Sequence, residues 1–238
     1  MFNLNEGLLT YLAPEGFGPL AHFGSLLLVL IAAYMLGSIN SAILISKTIY
    51  HSDIRTKGSG NGGMTNMLRS FGLKAAGLTL LGDVLKTAVA VFIAGTVFGF
   101  AYTHAISVQP YCYLAGLFAV IGHIFPIYHK FKGGKGVLVT SAMALFLSPI
   151  PFAFLLVIFV LIVWMSKYVS LGSVTVAALY PVVMHGTFAF MFNMPMDGMI
   201  ALTTIILACL IVWCHRKNLE RISNKTESKI SFKKKKDD

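Results

Sequence analysis

Ser148-Pro149-Ile150-Pro151 is the stretch that decides how this chain folds. Two prolines one residue apart, inside a long apolar region, mark either a turn between two helices or a kink within one, because each proline removes a backbone donor and crowds the preceding turn. Charge separates the two readings. If the prolines mark a turn, Lys130, Lys132, Lys135 and Lys167 fall on the same side as Lys47, Arg55, Lys57, Arg69, Lys74 and the basic tail after His215. One long helix would carry Lys167 to the opposite side. A single basic side is the pattern of membrane proteins, so the turn is adopted.

Composition makes the membrane reading. The chain is 56% hydrophobic and only 12% charged, with a mean hydropathy of +0.77. A soluble domain carries about twice that charged fraction. Apolar runs of roughly 17 to 25 residues place spans at 24–46, 73–101, 110–128, 136–148, 151–165, 169–192 and 196–214. The fourth and fifth, on either side of the two prolines, are short. No lysine or arginine occurs in the first 46 residues or in the three loops on that same side, which puts the N-terminus outside and the C-terminus in the cytoplasm. The expected fold is an all-α integral membrane protein of seven transmembrane helices.

Residues 1–23 contain Glu6 and Glu15 but no basic n-region, so they read as an outer-face amphipathic segment rather than a cleavable signal. Residues 24–222 form the membrane domain and 223–238 a basic cytoplasmic tail. That tail closes with Lys233-Lys234-Lys235-Lys236, a topology signal that also attracts anionic lipid headgroups. Cys112, Cys209 and Cys214 show no pair-like spacing and no CxxC, hence no disulfide framework and no metal site. Lys86, the one lysine or arginine deep inside a span, follows Asp83 by three positions, where a helix lets the two pair; a structural ion pair and a functional one both fit.

Three polar clusters converge on the cytoplasmic face. The first is the loop 53–69, dense in glycine, hydroxyls and arginine; the second is His129-Lys130-Phe131-Lys132-Gly133-Gly134-Lys135-Gly136; the third is His215-Arg216-Lys217-Asn218-Leu219-Glu220-Arg221. In the second, glycines let backbone N–H groups approach an anion, lysines neutralise it, and a helix N-terminus follows at once. The same string also reads as a tight inside turn. There is no GxxxxGK[ST], so a nucleotide P-loop is not supported. Together the clusters point to phosphate chemistry at a membrane surface.

Read in order, Gly37-Ser38-Ile39, Lys47, Asp53-Ile54-Arg55, Gly58-Ser59-Gly60-Asn61, Thr65-Asn66 and Leu81-Gly82-Asp83-Val84-Leu85-Lys86 resemble the acyl-phosphate glycerol-3-phosphate acyltransferase family, the PlsY type. Gly122-His123-Ile124-Phe125-Pro126, Phe131-Lys132-Gly133-Gly134-Lys135-Gly136, Tyr168-Val169-Ser170-Leu171 and the segment from His215 agree in order and spacing. The resemblance implies a multi-pass enzyme of the bacterial cytoplasmic (inner) membrane. It would move a fatty acyl group from acyl phosphate to the 1-hydroxyl of sn-glycerol-3-phosphate, releasing lysophosphatidic acid and phosphate. It implies no cofactor, no metal and no nucleic acid; the partners are the two substrates and membrane lipids.

Such an enzyme has to hold two phosphates together, align a hydroxyl on a carbonyl and stabilise negative charge. By the resemblance, Ser59 and Arg69 are essential first-loop residues, Arg69 as a phosphate clamp, while Thr65 and Asn66 supply further hydrogen bonds. The backbone of 133–136, meaning Gly133, Gly134, Lys135 and Gly136, would hold a phosphate with Lys132; Lys47 and Ser170 line the same pocket. His215 and Asn218, three apart on one helix face, project to the centre. His215 is either a general base or an orienting donor, with a substrate phosphate oxygen taking the proton instead.

Two positions depart from the family pattern. Met64 stands where a small residue is expected before Thr65-Asn66, which crowds the loop; Lys225 stands where a glycine precedes Thr226-Glu227, against the tight turn that would return Glu227 to the site. Glu227 is therefore carried as structural support. A transporter or binding protein for a phosphorylated metabolite is the competing class; it would place broken helices in corresponding positions of two halves around a midplane site, and no internal repeat is visible.

Overall fold

A computed structural model describes residues 4–13, 16, 18–103, 106–107 and 109–230. A short helix α1 (Gly7–Leu12) precedes α2 (Pro19–Ser38) and α3 (Ser41–Thr48). Pro19 sits at the start of α2, where a missing N–H breaks no helical bond. Ile39 leaves the helical region and Asn40 restarts it, its side chain accepting from Ile43 N at 3.0 Å. The first expected span, 24–46, is therefore two helices joined at a capped break.

Helix α4 (Met64–Phe98) is interrupted at Gly72, which takes φ 84°. Only glycine adopts that conformation freely, so a short polar helix, 64–71, meets the apolar 73–98 at an angle-forming residue. A two-rung antiparallel pair, β1 (Tyr102–Thr103) with β2 (Ile106–Ser107), matches Tyr102 to Ser107 and Thr103 to Ile106. At the same end Phe100 N donates to Leu4 O at 2.9 Å, docking the start of the described chain on the exit of α4.

Helix α5 (Pro110–Ile124) is the central one. Its Ala115, Ala119, Gly122 and Tyr113 are buried, and a side chain on Gly122 would collide with the backbone of α2 at Tyr34. Gly37 of α2 reciprocates against the Ala119 carbonyl. Small residues on facing helices permit this close approach, the usual substitute for a hydrophobic drive inside lipid.

Helices α6 (Val137–Leu147) and α7 (Pro149–Ser166) are separated by Ser148 alone, at φ −147° and ψ 65°. The two prolines thus open a new helix rather than kink an old one. Helix α8 (Val169–Gly186) runs on through a π turn, Thr187–Met191, and α9 (Gly198–Cys214) is capped by Asp197, which accepts from Met199 N and Ile200 N. At His215 the chain bends by 51° into α10 (Arg216–Ser223).

Among the described residues five helices are long and apolar enough to cross a membrane, and a sixth is added if the bent α9–α10 pair counts as one span. This is a multi-pass helical membrane protein. Of the expected seven spans, α6 falls short of bilayer length at 11 residues and α9, at 17 residues, stands at the lower limit. The exposed Phe154, Val157, Leu161 and Trp164 of α7 form an apolar outer face suited to lipid.

The segments following α3, α5, α7 and α10 meet at one end. Arg55 Nη1 donates to His129 O at 3.1 Å, Arg69 Nη2 to Ser228 O at 3.1 Å, and Ile230 N to Lys167 O at 2.9 Å. Glu15 and the lysines 233–236 lie outside the described residues.

Candidate active site

A cavity of about 430 Å³ opens at this basic end. Its polar wall includes Ser59, Thr65, Asn66, Arg69, Lys135, Ser170, His215, Asn218 and Glu227; its interior is Ala144, Phe152, Leu155, Ala177, Tyr180, Leu207 and Ile211.

The first loop is built before it can bind anything. Asp53 caps the 3-10 turn Ile54–Thr56 and meets the Arg55 guanidinium at 2.7 Å, with Lys47 Nζ at 3.4 Å. The hydrogen-bonded Arg55 holds the Asp53 carboxyl well below the usual carboxylate range. Asn66 is the hub: its Oδ1 accepts from Ser59 N at 2.9 Å, and its amide donates to the carbonyls of Ile54 at 3.2 Å and of Lys57 and Asn61 at 3.0 Å. Gly58, at φ 53°, passes so close to Asn66 Oδ1 that a side chain there would collide. The amide of Asn66 is thus committed to the loop, which also presents Ser59, Asn61, Thr65 and Arg69 to the cavity. Met64 lines the cavity beside them and leaves the Asn66 hub intact.

In the glycine turn, Gly133 N donates to Ile124 O at 3.2 Å and Gly134 N to His123 O at 3.1 Å. These amides finish α5 and are not turned to an anion. Lys132 is exposed, and neither it nor Lys47, half exposed against Asp53, lines the cavity. The part of the turn that faces the cavity is Lys135, Gly136 and the first residues of α6, Val137 and Leu138, where unpaired amides and the helix dipole favour an anion. Gly136 takes φ 81°, which lets α6 start directly at the cavity wall.

The third cluster closes the wall. His215 Nδ1 lies 2.7 Å from Ile211 O. A carbonyl only accepts, so Nδ1 carries the proton and Nε2 keeps its lone pair. Burial lowers His215 to about 4, with Lys135 adding to the effect, so the ring is neutral near pH 7. Asn218 accepts from Lys135 Nζ at Oδ1 and donates to Glu227 Oε1 at 2.7 Å. Glu227 accepts also from Ser170 Oγ at 2.9 Å and from Arg221 Nε at 2.7 Å. Burial lowers Lys135 to about 8.

Lys225 does not prevent the turn that returns Glu227. It adopts φ 57°, Lys225 N donates to Ile222 O at 3.0 Å, and Thr226 N to Arg221 O at 2.8 Å. These two bonds are a Schellman ending of α10, made with lysine where glycine is usual. Glu227 is consequently a hub of the site's wall. The last helix does not continue straight past Cys214; the bend at His215 still leaves His215 and Asn218 both buried at the cavity.

Beneath the glycine turn lies a buried cluster. Lys86 Nζ is 2.8 Å from Asp83 Oδ1 and 3.0 Å from His123 Nδ1, and donates to Gly37 O at 3.2 Å and Ile39 O at 2.9 Å. It satisfies the carbonyls freed where α2 breaks, which is a structural task. Asp83 and His123 also reach the cavity wall, as do Asn61 and Thr140. Sequence reading assigned none of these four to the site; ionisable residues inside apolar runs are the signal that marks Asp83 and His123. Among the described residues no group of three His, Cys, Asp or Glu side chains is placed to hold a metal ion.

Neutral imidazole, a half-buried ammonium, an exposed guanidinium and a helix N-terminus around one opening can hold anionic oxygen and accept a proton; the apolar interior can hold a hydrocarbon chain. A family model described as glycerol-3-phosphate acyltransferase matches residues 27–225. Glycerol-3-phosphate acyltransferases of Geobacillus kaustophilus and Bacillus subtilis are 40% and 35% identical, each over 86% of this chain and 96% and 97% of their own lengths. The crystal structure of PlsY, an integral membrane glycerol 3-phosphate acyltransferase, in its glycerol 3-phosphate form is similar with a TM-score of 0.75 at 32% identity, covering 87% of this chain and 96% of that one.

Proposed function

Because this chain belongs to the glycerol-3-phosphate acyltransferase family, we propose that the cavity at its basic end is where glycerol 3-phosphate is acylated, with acyl phosphate as donor. The chain is a multi-pass membrane acyltransferase. The observation that carries the site assignment is the composition of one cavity: a cationic, hydrogen-bonding mouth continuous with an apolar bore.

In this reading the donor's acyl tail lies in the bore and both phosphates lie at the mouth. Arg69 takes one phosphate with its guanidinium, while Lys135, Gly136 and the start of α6 take the other. Ser59, held at the mouth by Asn66, hydrogen-bonds at the reacting centre. Asn218 and Glu227 fix the Lys135 ammonium. The glycerol 1-hydroxyl oxygen attacks the acyl carbonyl carbon, the new ester bond forms, and the carbonyl–phosphate bond breaks to release phosphate. His215 Nε2 accepts the hydroxyl proton; two phosphate dianions beside it raise the basicity that burial suppresses in the free enzyme.

The mouth faces the cytoplasm of a bacterial inner membrane, with α6 completing seven spans and the N-terminus outside. The clustering of basic loops and the bond between Ile230 and Lys167 support this arrangement. A transporter of a phosphorylated metabolite is disfavoured by the family membership.

The test uses purified protein in lipid, acyl phosphate with and without glycerol 3-phosphate, and acyl-CoA as the comparison donor. Phosphate release that depends on glycerol 3-phosphate, with lysophosphatidic acid formed from acyl phosphate alone, is the expected result. Turnover with acyl-CoA alone would overturn the donor assignment.

A further inference from the structure

Among α6 to α9 the bore ends inside the protein. Moving away from the mouth, the lining stops at Ala144 on α6, Phe152 on α7, Tyr180 on α8 and Leu207 on α9. From Ser170 to Tyr180 the lining residues of α8 are Ser173, Val176 and Ala177, a helical stripe about 15 Å long at 1.5 Å per residue. Beyond that level the protein is solid: Leu147 and Met184 are fully buried, and Tyr113 Oη donates to Leu147 O at 3.3 Å.

Tyr180 is the part of this floor that is fixed in two ways. Its ring is buried, and its hydroxyl lies 3.2 Å from Ser148 Oγ, the residue between α6 and α7. Ser148 Oγ in turn bonds Ala144 O at 3.2 Å, so the floor is pinned to the same turn that separates the two short helices. A tyrosine whose hydroxyl is anchored in apolar surroundings resists displacement, because moving it leaves a buried hydroxyl without a partner. The wall is less closed: Leu80 and Leu156 line the cavity and are themselves partly exposed.

Resting on the acyl-phosphate reading above, we infer that Tyr180 is the specificity-determining floor of the acyl chamber, setting which fatty acyl length this enzyme transfers best. A chain that reaches the ring without bending fills the bore and buries its whole length. One that is longer must fold back or leave between Leu80 and Leu156, giving up contacts. Fit of this kind discriminates by about 10-fold or more for a misplaced methylene in an apolar pocket.

The experiment measures kcat/KM for saturated acyl phosphates of increasing length, with the full-length protein in lipid and glycerol 3-phosphate saturating. Tyr180→Ala is expected to shift the optimum to longer chains, changing the long-to-short ratio by about 10-fold. Ala177→Leu, one turn nearer the mouth, is expected to shift it to shorter chains. Tyr180→Phe keeps the ring and is expected to keep the wild-type ratio with a lowered melting temperature. If Tyr180→Ala does not fold, Ala177→Leu decides alone. A ratio unchanged, or moved the opposite way, in the folded variants overturns the inference. Failure of the wild type to make lysophosphatidic acid from any acyl phosphate would instead overturn the reading on which it rests.

Discussion

Ser170 Oγ donates to Glu227 Oε1 at 2.9 Å, tying the first turn of α8 to the chain that returns after α10. The same oxygen accepts from Asn218, and the other from Arg221. Every donor around this carboxylate is committed to it. Glu227→Gln keeps the shape but replaces an acceptor by a donor, leaving one neighbour unpaired. Turnover is expected to fall at least 10-fold as Asn218 releases Lys135, and stability to fall by about 1–3 kcal/mol.

The pH dependence of that loss has a definite sign. Burial pushes Glu227 up, but hydrogen bonds from Asn218, Arg221 and Ser170 together hold it below the ordinary glutamate value. A carboxylate lowered on folding adds stability above its unfolded value of about 4.3, and that stability vanishes as pH falls through the folded value. The melting-temperature gap between wild type and Glu227→Gln should be full at pH 7 and close in strong acid. A gap that persists unchanged at low pH would mean the carboxylate's charge is not what holds the wall.

His215 and Lys135 set the limits of activity. His215 works as an acceptor only when neutral, so kcat/KM should be lost as pH falls through about 4, and Lys135 grips phosphate only when charged, so it should be lost as pH rises through about 8. Lys135→Met should erase the alkaline limb with a raised KM for glycerol 3-phosphate. His215→Asn should lower turnover by about 100-fold or more if the imidazole takes the proton. A loss of only a few fold would assign the proton to a substrate phosphate oxygen.

The membrane class and the three polar clusters were legible because they are carried by composition and local pattern. Ser148-Pro149-Ile150-Pro151 gave the turn directly, since proline acts on its own helix. The break at Ile39–Asn40 was not legible: it is stabilised by Lys86, which reaches those carbonyls from another helix. Likewise Gly133 and Gly134 look from sequence like an anion cradle, and only the position of α5 shows that their amides are taken by Ile124 and His123. Asn66 reads as a substrate contact; it does line the cavity, and only the folded loop shows that it also bonds four backbone groups of its own loop. Lys225 misleads in the opposite sense, because a left-handed conformation disfavoured for lysine is held by the two bonds of the Schellman ending.

That conformation makes a stabilising substitution available. Lysine in the left-handed region costs about 1–2 kcal/mol, and Lys225 holds φ 57°. Lys225→Gly removes this strain, offset by about 0.5–1 kcal/mol for the greater freedom of glycine in the unfolded chain. A small rise in melting temperature with wild-type turnover is expected. Lys225→Val, branched at Cβ, should instead destabilise the turn and lower turnover through Glu227.

Gly58 tests whether Asn66 acts through the loop. A side chain at φ 53° would strain the backbone and strike Asn66 Oδ1. Gly58→Ala should reduce turnover severely, and Asn66→Asp, which removes the amide donors to three carbonyls, should do the same while destabilising by about 1–3 kcal/mol. The distinguishing readout is protease sensitivity of the loop 53–69 in the folded protein. Lost activity with an unchanged, protected loop would return Asn66 to direct substrate contact.

The side on which Lys167 lies tests the whole topology. Its carbonyl accepts from Ile230 N at 2.9 Å, so the α7–α8 turn and the segment after α10 share one end. In a background with Cys112, Cys209 and Cys214 replaced, single cysteines at Ser52, Lys167 and Lys229 should all react with an impermeant thiol reagent only after the cytoplasmic face is opened. Placing all three on one side requires α6 to cross the membrane despite its 11 residues, with the bilayer thinning or the flanking loops dipping to meet it. A cysteine at position 167 reached from outside in intact cells, while those at 52 and 229 stay protected, would exclude seven spans and separate Lys167 from the mouth of the site.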